Sequence, residues 1–395
     1  MIFQTLDDKK QCVAIYSEGE LRQDGDVDGL TKTWGYAAYL GNYDIEYASL
    51  YCLGDDLGKV CPEHLREDWH NINQKLKAFF TAFRTARVDL SEICFYDLVQ
   101  ERFLTEFCDI KNSITEHVLQ TYERPPNYDF LCDLTKVLHE IRYQEININV
   151  RNLDDILAQG KTRRFLKKLK DIHPYVCYDI AGTKTGRLTT IKNSFPILTL
   201  DKDLRAAIEP HNDFFLELDF NAAELRTLLA LAGVEQPDGD IHQWNATNVY
   251  RGLLNREEAK KRIFAWLYNP ASKDYLSNRT YNRDEVLEKY WDGTKVKTCF
   301  DREIEADAHH ALNYIIQSTT SDLFLRSMMR VFELLKGKRS FISFCIHDSL
   351  VLDFAHEEKD LLAKIVKVFS STDLGNFKTN VSMGKNFKKM QLLDI

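Results

Sequence analysis

The sequence predicts an α+β fold, and three observations carry that reading. Near the N-terminus, short aromatic and β-branched runs lie between Gly/Asp turn clusters, the pattern of strands. Most of the remainder repeats apolar residues every three or four positions, the pattern of helices. Set among those helices are a buried-looking strand and a hairpin, each carrying an acid at its exit. The 395 residues correspond to two or three domains at ~150 residues each. Apolar residues make up 44% and charged residues 28%, ordinary for a globular chain. With 8 prolines and 17 glycines, no long low-complexity linker is expected.

Taken in order, CVAIYS, TWGYAAYL and EYASLYCL in residues 11–53 read as strands. From Glu63 to Gln120 the pattern is helical, as in LREDWHNINQKLKAFFTAFRTA. Residues 128–171 read as two long helices, the second starting from the cap candidate Asn152 and carrying a basic cluster. The Gly/Thr turn AGTKTGRLTT follows. FFLELDF (214–220) reads as a buried strand ending in an acid, and AAELRTLLALAG as a helix stopped by Gly233. NREEAKKRIFAWLYNP and HHALNYIIQSTTSDLFLRSMMRVFELLKG are further helices. RSFISFCIHDSLVLDF reads as strand, tight turn, strand.

The formal net charge is −8, from 52 Lys+Arg against 60 Asp+Glu, which on its own argues against a nucleic-acid partner. The charge is uneven, however. Residues 1–60 hold 11 acids and 5 bases, whereas Lys161–Lys192 holds nine Lys/Arg and two Asp. Nine cysteines are scattered with no C-x-x-C, so free thiols and a reducing, cytoplasmic location are expected. Cys52, Cys61, His64 and His70 make only an irregular zinc spacing. The start lacks the design of a signal or transit peptide, and no apolar run is long enough to span a membrane.

Asp219 ends an apolar strand and Asp348 sits at a hairpin turn. Acids so placed are costly to desolvate unless paired or bound to a cation. One reading has them converge on two Mg²⁺ ions for in-line phosphoryl displacement; the other makes each a turn acid or helix cap. The helix after Asn255 starts with the capping box Asn255/Glu258. Arg256, Lys260, Phe264 and Tyr268 follow at four-residue steps along one face. That stripe reads as cations for a polyphosphate and rings for a base, or as a solvated face turning into a packed one.

In combination these segments resemble family A DNA polymerases, the bacterial and phage polymerase I type. The likeness runs from Lys184 to the C-terminus, more weakly from Asn112. It rests on six motifs in family order: T-G-R-L at Thr185–Leu188, D-F-N-A-A-E-L-R at Asp219–Arg226, G-D-I-H at Gly239–His242, R-x3-K-x3-F-x3-Y at Arg256–Tyr268, A-L-N-Y-I-I-Q-S at Ala311–Ser318 and I-H-D-S at Ile346–Ser349.

The resemblance implies a right-hand polymerase fold: an antiparallel palm sheet, helical fingers, a helical thumb and a small N-terminal α/β remnant. The boundaries implied are 1–111 for the remnant, 112–184 thumb, 185–235 palm, 236–309 fingers and 310–395 palm again. It implies a DNA-directed DNA polymerase, a nucleotidyltransferase that extends a primer on a template with dNTPs and releases pyrophosphate. By this likeness Asp219 and Asp348, with the backbone carbonyl of Phe220, hold two Mg²⁺ ions, for which Mn²⁺ can substitute. Arg256 and Lys260 grip the triphosphate, Lys260 doubling as general acid. Phe264 packs on the incoming sugar and base, Tyr268 closes the template position, Glu224 excludes a ribose hydroxyl, and His242 touches the phosphates. Arg187, Asn313, Gln317 and His347 face the primer terminus. Arg163, Arg164, Lys167 and Lys168 lie where a duplex backbone would run.

The chain departs from the family pattern at Ser349, where an acid is usual, and at Ala265 and Asn269, where Gly is usual. Its fingers segment from Pro270 to His309 is short. An exonuclease domain would need an Asp-x-Glu on its first strand; Asp44-Ile45-Glu46 has that spacing but no convincing partner acids. A reduced exonuclease remnant serving as scaffold or dock is therefore expected, its acidity discouraging DNA. The implied setting is phage genome replication in a bacterial host cytoplasm, with replisome proteins or a separate exonuclease chain as partners. The competing readings are a single-subunit RNA polymerase, disfavoured by Glu224, a catalytically impaired accessory protein, and a metal nuclease.

Overall fold

A computed structural model describes residues 1–7, 14–23, 25–41, 43–90, 93–170 and 172–394. The chain divides into two compact units, Met1–Lys136 and Val137–Ile395.

In the first unit, Gln4–Thr5, Ile15–Ser17 and Glu20–Arg22 form a small antiparallel sheet. Lys32–Thr33 and Glu46–Tyr47 pair in parallel. The expectation of strands across 11–53 holds only in part, and part of CVAIYS lies outside the described residues. TWGYAAYL contains a 3₁₀ turn at Ala38–Leu40, and EYASLYCL contains a short helix at Ala48–Tyr51. Burial explains the first difference: Ala37 and Leu40 are buried three residues apart, the period of a tight helical turn rather than of a strand. Helices α1 (Arg66–Thr85) and α2 (Glu101–Thr121) supply the core. The apolar face of α2 divides between two clusters. Phe103, Leu104 and Phe107 pack with Phe95 and Ile72, and Ile114 and Val118 pack with Ala48, Cys52 and Val60. The helix runs unbroken through residues 111 and 112, so the expected domain boundary falls inside it. Helix α3 (Tyr128–Arg142) contains the division between the two units.

In the second unit the long helix expected from Asn152 is broken. A 3₁₀ segment, Val150–Ile156, is capped by Asn149, whose side chain accepts from Arg151 N at 3.2 Å. Helix α4 then runs from Gly160 to Lys168. Glycine is a poor helix interior residue, and here Gly160 stands at the helix start. Asn152 caps nothing: its amide donates to the Ala206 carbonyl at 3.0 Å.

The remaining principal elements are β1 (Phe214–Phe220), α5 (Ala223–Leu231), α6 (Arg256–Tyr268), α7 (Ala311–Leu335), β2 (Phe341–Ile346), β3 (Ser349–Phe354), α8 (Leu362–Ser370), β4 (Thr379–Gly384) and β5 (Gln391–Leu393). Five strands form one antiparallel sheet in the order β2-β3-β1-β4-β5. Side chains alternate along β1. Leu216, Leu218 and Phe220 are buried on one face, where Phe220 stacks on Phe369 of α8 with centroids 4.4 Å apart. The other face begins apolar at Phe215, packed on Phe344, and becomes acidic at Glu217 and Asp219. Gly233, at φ +68°, follows α5 where the sequence predicts its stop. Among the described residues no helix is long and apolar enough to cross a membrane.

The expectation of free thiols throughout needs one correction. Cys52, Cys61, Cys108, Cys132, Cys177, Cys299 and Cys345 are free, but Cys94 is disulfide-bonded. Scattered spacing does not exclude a pairing made by the fold.

Candidate active site

The sheet register builds the acid pair. Asp219 at the end of β1 lies beside Ser349 of β3 and Asn380 of β4. Asp348 immediately precedes Ser349 in the β2–β3 turn, where His347 takes the left-handed conformation, φ +54°. The strand exit and the hairpin turn are thereby neighbours, as the two acids require. Asn380 Nδ2 donates to Asp219 Oδ2 at 3.4 Å, and Ser349 Oγ donates to Glu217 Oε1 at 2.8 Å. Desolvation pushes Asp219 up to about 6; repulsion from Glu217 and Asp348 adds to it, and the Asn380 hydrogen bond opposes it. Burial also raises Asp348, with the Arg187 charge working against that rise. Phe220 turns its side chain to the other face of β1, into the Phe369 stack, so only its backbone remains to offer.

Around the acids, Glu224 in the first turn of α5 is the hub. It accepts from Arg187 Nη2 at 2.7 Å and from the Tyr268 hydroxyl. Tyr268 closes α6, and its ring stacks on Phe264 one turn earlier, centroids 5.9 Å apart and 8° from parallel. His242 lies 5.7 Å from the Phe264 ring. Burial lowers the His242 pKa, with Lys260 and Arg256 pushing the same way and Asp240 opposing. Its Nδ1 is buried with no hydrogen-bond partner among the described residues.

The start of α6 has the predicted capping box: Asn255 Oδ1 accepts from Glu258 N at 2.9 Å and Glu258 Oε2 from Asn255 N at 3.0 Å. Arg256 then forks onto Asp240 at 3.1 and 2.9 Å, with Glu257 also bonded to it. Desolvation would raise Asp240, but Arg256 and the Gln243 N–H hold it at about 2. Lys260 is exposed.

A chain of interactions thus joins Arg187, Glu224, Tyr268, Phe264, His242, Asp240 and Arg256 in the same unit as the acids, and Arg187 acts electrostatically on Asp348. Asn313 and Gln317 are one turn apart on α7, and Asn313 Oδ1 is buried without a partner among the described residues. His347, beside Asp348 in the turn, acts electrostatically against the rise of Asp348. On α4, Thr162 and Phe165 face inward. Arg163 and Arg164 turn back to the Ala158 and Gly160 carbonyls at 3.1 and 3.4 Å, and Lys167 and Lys168 occupy the last turn.

Sequence reasoning missed three site features. Asp240 caps the short helix Ile241–Trp244 and holds Arg256; its place before Ile-His was the available signal. Asn380 emerges only from strand register, which no local spacing reveals, whereas Glu217 stands two residues before Asp219 on the same face of β1, a spacing present in the sequence.

The donor set bears on metal binding in two ways. Among the described residues no three His, Cys, Asp or Glu side chains are gathered into a ready cage, which also leaves the Cys52/Cys61/His64/His70 spacing without a site. Mg²⁺, however, is usually bound through one or two carboxylates plus substrate phosphates. Two recessed carboxylates bonded to no Lys or Arg among the described residues fit that mode.

No family model matches the chain. It is 20% identical over 439 residues to DNA polymerase I of Borreliella burgdorferi, covering 88% of this chain and 48% of that protein. It is 24% identical over 241 residues to DNA polymerase I of Caldicellulosiruptor bescii, covering 47% of this chain and 28% of that one. The chain therefore spans about half the length of the first relative, and less of the second. Among solved structures, it superposes on the polymerase domain of Pol1 from M. smegmatis, a complex with DNA primer-template and dNTP. The TM-score is 0.59 at 12% identity, over 74% of this chain and 76% of that one. The chain has the polymerase I fold. The family A resemblance read from the motifs agrees with the sequence relatives, and the α+β expectation agrees with the match to that polymerase domain and with this chain's own antiparallel sheet.

The acids of the first unit have different surroundings from Asp219 and Asp348. Asp44 is exposed, whereas Glu46 is paired with Lys32 at 3.4 Å and bonded to the Tyr51 hydroxyl.

Proposed function

We propose that this chain is a template-directed DNA polymerase: the primer 3′-hydroxyl attacks the α-phosphate of a dNTP and pyrophosphate leaves. The observation that carries this reading is the desolvated pair Asp219/Asp348 at the end of an antiparallel sheet, beside a helix carrying Arg256, Lys260, Phe264 and Tyr268. Asp219, Asp348 and the Phe220 backbone carbonyl would hold two Mg²⁺ ions, or Mn²⁺ in their stead. Bound there, the metals supply charge stabilisation for the attacking and leaving oxygens.

The chain's own residues do the rest. Arg256 and Lys260 bind the triphosphate, and Lys260 passes a proton to the leaving pyrophosphate. Arg256 exchanges its Asp240 partner for phosphate oxygens as the nucleotide arrives. His242, kept neutral by burial, donates a hydrogen bond to the phosphates. Phe264 packs on the nucleotide, and Tyr268 guards the template position. Glu224, tied to both Arg187 and Tyr268, fills the space a 2′-hydroxyl would need, which favours dNTPs over rNTPs and disfavours an RNA polymerase. Arg187, Asn313, Gln317 and His347 read the primer terminus, and Arg163, Arg164, Lys167 and Lys168 take the duplex backbone.

In domain terms, β1–β5 with α5 and α7 form the palm, α6 and its neighbours the fingers, and α4 part of the thumb. Residues 1–111 are a non-proofreading remnant that serves as a scaffold or as a dock for a replisome protein or a separate exonuclease chain. The setting is phage replication in a bacterial cytoplasm.

Primer extension with one dNTP at a time, on four templates differing in the first templating base, tests the reading. Wild type adds the complementary nucleotide on each template and Asp348→Ala adds none. Untemplated addition, or none by wild type, would overturn it.

A further inference from the structure

Three elements meet behind Arg187, one of them more than a hundred residues before the other two. The first is the turn Thr185–Gly186–Arg187, with Gly186 at φ +76°. The second is the hairpin Lys295–Lys297/Glu303–Glu305, whose loop end carries Arg302. The third is the middle of α7, where Ser318, Thr319, Thr320, Ser321 and Asp322 are all buried. Buried polar groups call for partners: Ser321 and Asp322 find theirs on the other two elements and Thr320 bonds Thr227 of α5 at 2.8 Å, whereas Ser318 Oγ and Thr319 Oγ1 are buried without a hydrogen-bond partner among the described residues.

Arg302 Nε and Nη2 fork onto Asp322 at 3.0 and 2.6 Å, with Asp322 fully buried and Arg302 nearly so. Ser321 Oγ donates to the Gly186 carbonyl at 2.9 Å. The Arg302 guanidinium lies against Gly186 itself: a Cβ there would stand 2.5 Å from Cζ and Nη2. Gly186 is thus required both by its backbone angle and by the plane of a guanidinium occupying its side-chain space. The next residue, Arg187, reaches Glu224 with Nη2, while its Nε is buried with no hydrogen-bond partner among the described residues. That unpaired donor is costly unless a ligand accepts from it.

We propose that Arg302 is a positioning residue for Arg187. Locked on Asp322, its guanidinium is the floor on which the Gly186 turn rests, and this aims the Arg187 donors at an acceptor on the primer strand. The inference rests on the polymerase reading above. Lysine cannot replace Arg302, because a single ammonium has neither the fork for Asp322 nor the flat surface for Gly186. Glycine cannot be replaced at 186, because any side chain displaces the floor.

The test measures primer-template dissociation constants by fluorescence anisotropy, together with kcat and KM, for the full chain. The variants are Arg302→Lys, Ser321→Ala, Arg187→Ala and the double variant Arg302→Lys/Arg187→Ala. Arg302→Lys retains a positive charge beside Asp322, and Ser321→Ala probes the same turn without touching the ion pair, so misfolding of one does not end the test. Arg302→Lys is expected to weaken primer-template binding roughly 5–50-fold in the wild-type background and less than about 2-fold when Arg187 is already Ala, the non-additivity of residues acting through one another. Ser321→Ala shifts the same parameters in the same direction by a smaller factor. If Arg302→Lys leaves binding and kcat unchanged, or weakens them equally in both backgrounds, Arg302 has no positioning role, although the polymerase reading stands. If wild type neither binds nor extends a primer-template, that reading fails and this inference with it.

Discussion

Two acid pairs in this molecule have similar raw chemistry and opposite surroundings. Asp44 and Glu46 are two residues apart on the N-terminal unit; one is exposed, and the other is neutralised by Lys32 at 3.4 Å. Asp219 and Asp348 are far apart in sequence, brought together by strand register, recessed, and bonded to no cation among the described residues. The comparison shows that spacing alone does not identify a reactive carboxylate. A desolvated acid without a neutralising partner marks a candidate, because its charge is costly until something binds.

The largest expected effect that would sharpen this contrast is at Asp219. Asp219→Asn lowers the single-turnover incorporation rate on the order of 10³-fold, the scale of losing a principal electrostatic group. It leaves Tm unchanged within about 3 °C or raises it, since the charge it removes is an unfavourable one. A large fall in Tm in a calorimetric scan would show the acid to be structural. Lys260→Ala comes next. Removing one charge-assisted hydrogen bond to phosphate, worth ~2–3 kcal/mol, raises dNTP KM and lowers kcat, together about 30–150-fold in kcat/KM, read by steady-state kinetics. Glu224→Ala is expected to raise the ratio of rNTP to dNTP incorporation about 10-fold or more, by opening space near Tyr268 and freeing Arg187. The smallest effect per residue is on α4. Neutralising Arg163, Arg164, Lys167 and Lys168 flattens the plot of log K against log salt, by up to about 0.9 for each phosphate whose charge is no longer neutralised by the protein. An unchanged slope would remove α4 from the duplex path.

Much of the second unit was legible in the sequence because its signals are local. The Asn255/Glu258 capping box, the strand ending at Asp219, the Gly233 stop and the hairpin around Asp348 each depend on neighbours a few residues away. The four-residue stripe on α6 was readable for the same reason, and the Phe264–Tyr268 stack follows from it. What stayed hidden depends on tertiary pairing. Asp240 meets Arg256 across 16 residues, Asn380 meets Asp219 only through sheet order, and Arg302 meets Gly186 and Asp322 only once the hairpin is folded back. The first unit was the least legible. Its aromatic runs have strand composition, but Ala37 and Leu40 bury with helical period, and Cys94 forms a disulfide despite its isolated spacing.

The two acid pairs can be set against each other in a single experiment: Mg²⁺-dependent incorporation of one templated dNTP, under single-turnover conditions, by wild type, Asp219→Asn and Asp44→Asn. Asp44→Asn is expected to match wild type while Asp219→Asn falls on the order of 10³-fold. Retained incorporation by Asp219→Asn, or its loss in Asp44→Asn, would contradict that expectation.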